Sequence, residues 1–151
     1  MQELRSGRVG IVGRDLQLSD LADFLPLPRV AVLATYRRDG AVLLSPVWHT
    51  WRDGGFDVLT EVNDIKVRHL RRNAQASIVV YDDEPPYRGV EIRTTVTIAD
   101  VDTNDALRDV AVRYLGREAG EAYAAGSPEC VRIRLEPGSV RAWDFADITP
   151  G

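Results

Sequence analysis

The chain has 151 residues, 44% of them apolar and 28% charged, with a formal net charge of −4. That length supports one domain with a real core, and that balance excludes a disordered chain. The acidic balance excludes the broad basic surface on which bulk nucleic-acid binding relies, and the single cysteine, Cys130, excludes an intramolecular disulfide or a cysteine-based zinc site.

No run approaches the ~20 apolar residues of a membrane span, and the N-terminus lacks an apolar core of signal-peptide length. The expectation is a cytoplasmic protein with no membrane or nucleic-acid partner. Residues 1–17 read as a polar N-terminal arm with a short strand at 9–12, and residues 18–151 as a single domain. Ser19 is placed to cap a short helix over 20–25, ended by Pro26 and Pro28. Residues 30–36 form an apolar, β-branched run of strand length. Asp39-Gly40 then makes a turn into a second strand over 41–51. That strand contains Pro46, which has no N–H to donate and so marks an edge or a bulge. A bulge would leave backbone groups free to meet a ligand; an ordinary edge strand fits the same residues. A turn at 52–55 leads to a third strand over 56–61.

Residues 64–73 hold Lys66, the only lysine beside eighteen arginines, together with Arg68, Arg71 and Arg72. The segment predicts a helix over 64–72 with Asn63 or Asp64 as its cap. A compact cation near a helix head fits a phosphate seat, since free N–H groups and the helix dipole favour anions there. A solvated basic face is the other reading. A fourth strand follows at 76–82, a loop at 83–89 and a long fifth strand at 90–101. Residues 104–115 read as an amphipathic helix, with Leu107, Val110, Ala111 and Tyr114 at helical spacing. Residues 118–125 continue helically, and 131–135 and 140–145 close the chain as strands. Short, hairpin-connected strands with inserted helices predict a mainly β, antiparallel barrel or sandwich. His49 and His69 are too few and too unlinked for a metal site, Asp82-Asp-Glu84 reads as a solvated turn, and no triad or acid–base pair names a catalytic residue.

Taken in order, Val32-Leu-Ala-Thr35, Ser45-Pro-Val-Trp48, Thr60-Glu61, Lys66-x-Arg-x-Leu70-Arg-Arg-Asn73, Glu91-Ile-Arg93, Arg113-Tyr-Leu-Gly116 and Val140-Arg-Ala-Trp143 form a patterned set. The set resembles the pyridoxamine-phosphate-oxidase-like split β-barrel superfamily, and within it the deazaflavin (coenzyme F420)-dependent reductases. The resemblance implies an FMN-binding-type split barrel and a homodimer with one flavin-type cofactor per interface. It places Ser45, Pro46, Val47 and Trp48 against the cofactor ring, and Thr60, Lys66, Arg71 and Arg72 near its phosphate and acidic tail. It draws further site groups from the second subunit, near Tyr87-Arg88 and Trp143. The implied activity is hydride transfer from reduced F420 to a small conjugated organic acceptor. The alternatives are an enzyme of the same fold using flavin mononucleotide (FMN), and a binding protein that holds a cofactor or apolar ligand without turnover. Asp64 departs from the pattern, because many relatives carry a basic residue two positions before the helix lysine.

Overall fold

Strict alternation drives the first long strand, β1 (Ala31–Tyr36): Ala31, Leu33 and Thr35 point into the core while their neighbours stay half-buried. The computed structural model describes residues 16–100 and 104–146. The expected strand at 9–12 and most of the expected N-terminal arm lie outside the described residues. After a 3₁₀ turn (Leu18–Leu21) and β1 come β2 (Val42–Val47), β3 (Thr50–Arg52), β4 (Gly55–Glu61), α1 (Ile65–Arg72), β5 (Gln75–Tyr81), β6 (Gly89–Thr95) and β7 (Thr97–Ala99). They are followed by α2 (Asn104–Leu115), α3 (Arg117–Ala125), β8 (Cys130–Leu135) and β9 (Ser139–Trp143).

The strands form two antiparallel sheets, ordered β9-β6-β5-β1-β2 and β3-β4-β8-β7. Their inner faces share one core, in which Leu33, Ile78 and Ile92 of the first sheet and Val58, Ile133 and Leu135 of the second are buried with Phe24 and Phe56. Each such side chain contributes roughly 1.5–3 kcal/mol of transfer free energy. This is a split β-barrel.

Two expected strands prove to be two strands each. The run at 41–51 breaks at Trp48-His49, where the chain leaves one sheet as β2 and enters the other as β3. The run at 90–101 breaks at Val96, whose N–H turns away to the Ala74 carbonyl at 2.8 Å, so β6 and β7 also belong to different sheets. The alternation of apolar residues continues through both breaks, because the barrel core lies on the same side before and after. The expected helix over 20–25 is replaced by the 3₁₀ turn, which contains Ser19 instead of being capped by it; the Gln17 N–H bonds Asp20 Oδ2 at 2.9 Å. The β3–β4 hairpin closes through Asp53-Gly54, both in the left-handed region at φ +51° and +76°, as a two-residue type I′ turn requires.

Helix α1 starts on Asp64, whose carboxylate takes the Lys66 N–H at 2.9 Å. Val67, His69 and Leu70 form its buried stripe. His69 Nδ1 meets the buried Thr35 hydroxyl of β1 at 3.0 Å, which fixes the helix against the first sheet. Among the described residues no helix is long and apolar enough to cross a membrane.

Candidate functional site

A cleft of about 460 Å³ opens where the end of β2, β4 and the helices converge. One wall is Pro46 and Val47 of β2 with Trp48 and His49 of the sheet crossover. The floor is β4, through Leu59, Thr60 and Glu61, and the head of α1 brings Asp64 and Lys66. The opposite side is Leu107 and Val110 of α2 and Tyr123 of α3, with Ser127 and Cys130 completing it. The cleft thus joins an uncharged wall, which suits a flat conjugated ring, to a polar end at the head of α1.

The crossover is held rigidly. Tyr114 accepts the His49 N–H at 3.2 Å and donates to the Arg29 carbonyl at 2.7 Å. Arg113 donates to the His49 carbonyl at 2.7 Å and to the Pro26 carbonyl. Trp48 stacks on Tyr114 with ring centroids 5.1 Å apart and lies 5.2 Å from the Tyr123 ring. The His49 backbone N–H and carbonyl, which have no ladder partner, are thereby satisfied by α2, where burial would otherwise make them costly.

His49 is only 1% exposed and packs edge-on against Phe56 at 5.1 Å, with both ring nitrogens enclosed. Burial, with the Arg113 charge, holds its pKa down to about 4, so the ring is neutral. Below it, Asp57 is buried but compensated, receiving Arg52 Nε at 2.6 Å and Arg134 at 3.3 Å. Burial pushes the Cys130 thiol upward, with the Glu61 charge adding to it, so this cysteine is not an activated nucleophile.

At the head of α1, Lys66 Nζ lies 2.9 Å from Asp64 Oδ1, the same oxygen that takes the Lys66 N–H. Burial works to raise the Asp64 pKa, but the two Lys66 hydrogen bonds and the charges of Lys66 and Arg68 outweigh it, and the carboxyl stays below its ordinary value.

Of the residues singled out from sequence, Pro46, Val47, Trp48, Thr60 and Lys66 line this cleft. Ser45 sits on β2 opposite Leu33 of β1 and is not among the lining residues. Arg71 and Arg72 lie on another face of α1: Arg71 pairs with Asp100 at 3.0 Å and Arg72 donates to the Tyr36 carbonyl at 2.8 Å. With Arg38, Arg68 and His69 they border a separate open depression. Within this chain Tyr87, Arg88 and Trp143 do not reach the cleft either; Arg88 bridges Asp23 and Asp82, and Trp143 packs under Arg141. Sequence reasoning named no role for His49, Arg113, Tyr114 or Tyr123. The helical spacing of Arg113 and Tyr114 was visible, but their partner, the crossover, was hidden inside what reads as one strand.

Among the described residues no cluster of His, Cys, Asp and Glu could hold a metal ion. The cleft offers a flat ring one uncharged wall, Pro46, Val47 and Trp48, and β2 is a sheet edge, with outer backbone groups that have no strand partner among the described residues. Its single lysine is already paired.

Comparison with known proteins agrees with this architecture. A conserved hypothetical protein from Mycobacterium tuberculosis is 25% identical, over 93% of this chain and 95% of that one, with a TM-score of 0.74. An F420 reductase is 23% identical over 78% and 93% of the two chains, with a TM-score of 0.65. A FAD-binding protein from Mesorhizobium loti is 20% identical over 88% and 96%, with a TM-score of 0.63. Heme-binding proteins share the fold as well. No curated protein sequence matches the chain. The family model described as pyridoxamine 5'-phosphate oxidase matches residues 19–144, and by that match the chain belongs to this family.

Proposed function

We propose that the protein is an F420-dependent oxidoreductase that reduces a small conjugated organic molecule in the cleft at the end of β2. The observation that carries this reading is the joining, in one cleft, of the Pro46-Val47-Trp48 wall with Thr60 and Lys66. The likeness to an F420 reductase supports it at the level of fold. Bound reduced deazaflavin would supply a hydride. Pro46, Val47 and Trp48 would hold its ring, Leu107 and Val110 would exclude water beside it, and Thr60 and Lys66 would meet its polar end. Rate would come chiefly from orientation of the ring and the acceptor within the cleft.

The working form is a homodimer. Val42 and Leu44 on the edge strand β2 are 49% and 64% exposed, beside the cleft wall, and a second copy would cover them. Mass measurement in solution should give twice 16.8 kDa at micromolar concentration.

A second reading, a binding protein without turnover, is favoured by one observation, the Asp64 carboxylate held on Lys66. Titration with F420 and FMN, followed by stopped-flow mixing of the reduced F420 complex with quinone or enone acceptors, separates the two. Binding of F420 and its oxidation by an acceptor are expected. Tighter, salt-insensitive binding of FMN would overturn the cofactor assignment, and F420 binding with no oxidation would select the binding protein.

A further inference from the structure

A ligand phosphate or carboxylate arriving at the head of α1 would use two donors, the Lys66 backbone N–H and the Lys66 ammonium. Both already converge on one atom, Asp64 Oδ1, each at 2.9 Å. The arrangement is enclosed: the side chains of Lys66 and Asp64 are 15% and 29% exposed, so solvent screens the pair only in part. Glu61 adds a second negative charge to the same cleft. Asp57 adds none in effect, because Arg52, Arg134 and Arg132 surround it. Among the side chains lining the cleft near the helix head, two carboxylates therefore stand against one ammonium, with the Arg68 charge acting on Asp64 from outside the lining.

Away from the helix head, Pro46, Val47 and Trp48 give the cleft an uncharged wall. It is shaped to take a ligand, but its anion seat is filled from within.

We infer that Asp64 is the specificity-determining residue of this cleft: its carboxylate occupies the seat at the head of α1 and sets the site against ligands that place a phosphate there. This rests on the reading of the cleft as a flavin-type cofactor site and deepens it. The ring end of the ligand carries the affinity, and a terminal phosphate adds little, because it has to displace Asp64 from Lys66 or share the cation with it. Exchange of Asp64 for a neutral capping residue releases the Lys66 ammonium while a neutral side chain keeps the Lys66 N–H capped.

The test compares riboflavin with FMN, which differ by the phosphate, in the wild-type chain, Asp64→Ser, Asp64→Asn and the double variant Asp64→Ser/Lys66→Ala, with thermal melting to confirm folding. Inorganic phosphate is titrated in parallel. The wild-type protein should bind the two flavins within about threefold of each other. Asp64→Ser and Asp64→Asn should favour FMN by about tenfold more, as expected for one charge-assisted hydrogen bond released, and should bind inorganic phosphate saturably. The double variant should lose both gains. A wild-type preference for FMN of tenfold or more, or an unchanged flavin ratio in both single variants, would overturn the inference. If no flavin binds any variant while inorganic phosphate binds Asp64→Ser through Lys66, the flavin-type reading fails and the assignment of Asp64 stands. If phosphate binds wild type and Asp64→Ser alike, the assignment of Asp64 fails.

Discussion

The two sides of α1 differ in a way that its sequence conceals. Lys66, Arg68, Arg71 and Arg72 lie within seven residues and read as one cationic cluster. A helix turns about 100° per residue, which carries the three arginines about 120–160° round from Lys66. On the cleft side the charge is cancelled by Asp64. On the other side Arg38, Arg68, Arg71 and Arg72 crowd round His69, and the Asp100 pair with Arg71 offsets only part of that charge. Burial first, then the charges of Arg72, Arg37 and Arg68, hold the His69 pKa below its ordinary value. Closeness along a helix is therefore not closeness in a site, and one helix separates a nearly neutral seat from a strongly positive face.

The partition depends on the stripe that anchors α1 to the sheet. Leu70 is 2% exposed within the core. Leu70→Ala should destabilise the protein by about 2–5 kcal/mol through lost burial and the cavity left behind, and should loosen both sides together. Urea denaturation measures this; a loss below about 1 kcal/mol would mean that the helix holds its orientation by other contacts.

The cleft side should also respond to acid through His49. Its folded pKa is about 4, below the ordinary 6.5, so between those values the unfolded chain binds a proton that the folded chain refuses. Stability should fall as pH drops from 6.5 towards 4 and the His49 contribution should level off below, a loss of about 3 kcal/mol in all. His49→Leu should flatten that part of the pH profile. An unchanged profile would show that the imidazole gains a partner on protonation.

The smallest effect bears most directly on the two faces. Lys66→Ala leaves the Asp64 carboxylate without its cation and should lower FMN affinity about tenfold, or ~1.4 kcal/mol. Arg71→Ala, on the other face, should change it less than twofold. Equal losses would mean that the faces act as one site, with the arginines receiving the acidic end of the ligand.

Much of the fold was legible because it is written in local chemistry. The Asp53-Gly54 turn, the Asp64 cap and the alternation of β1 each follow from a few adjacent residues. The order of motifs was enough to suggest the family, and Pro46, Val47, Trp48, Thr60 and Lys66 do gather in one cleft. The breaks at Trp48-His49 and Val96 were not legible. An apolar alternation reports which side is buried, and in a barrel that side stays the same when a strand passes from one sheet to the next.

By itself, then, the sequence determined the antiparallel β character, the helix positions and the residue types at the end of β2, since these depend on period and turn chemistry. Only the tertiary structure decided that Tyr114 and Arg113 grip the crossover, that the His49 ring is buried, and that Asp64 closes on Lys66 while Arg71 and Arg72 turn away. Those outcomes come from long-range packing and from the rotation of one helix, and neither is carried by any short stretch of the chain.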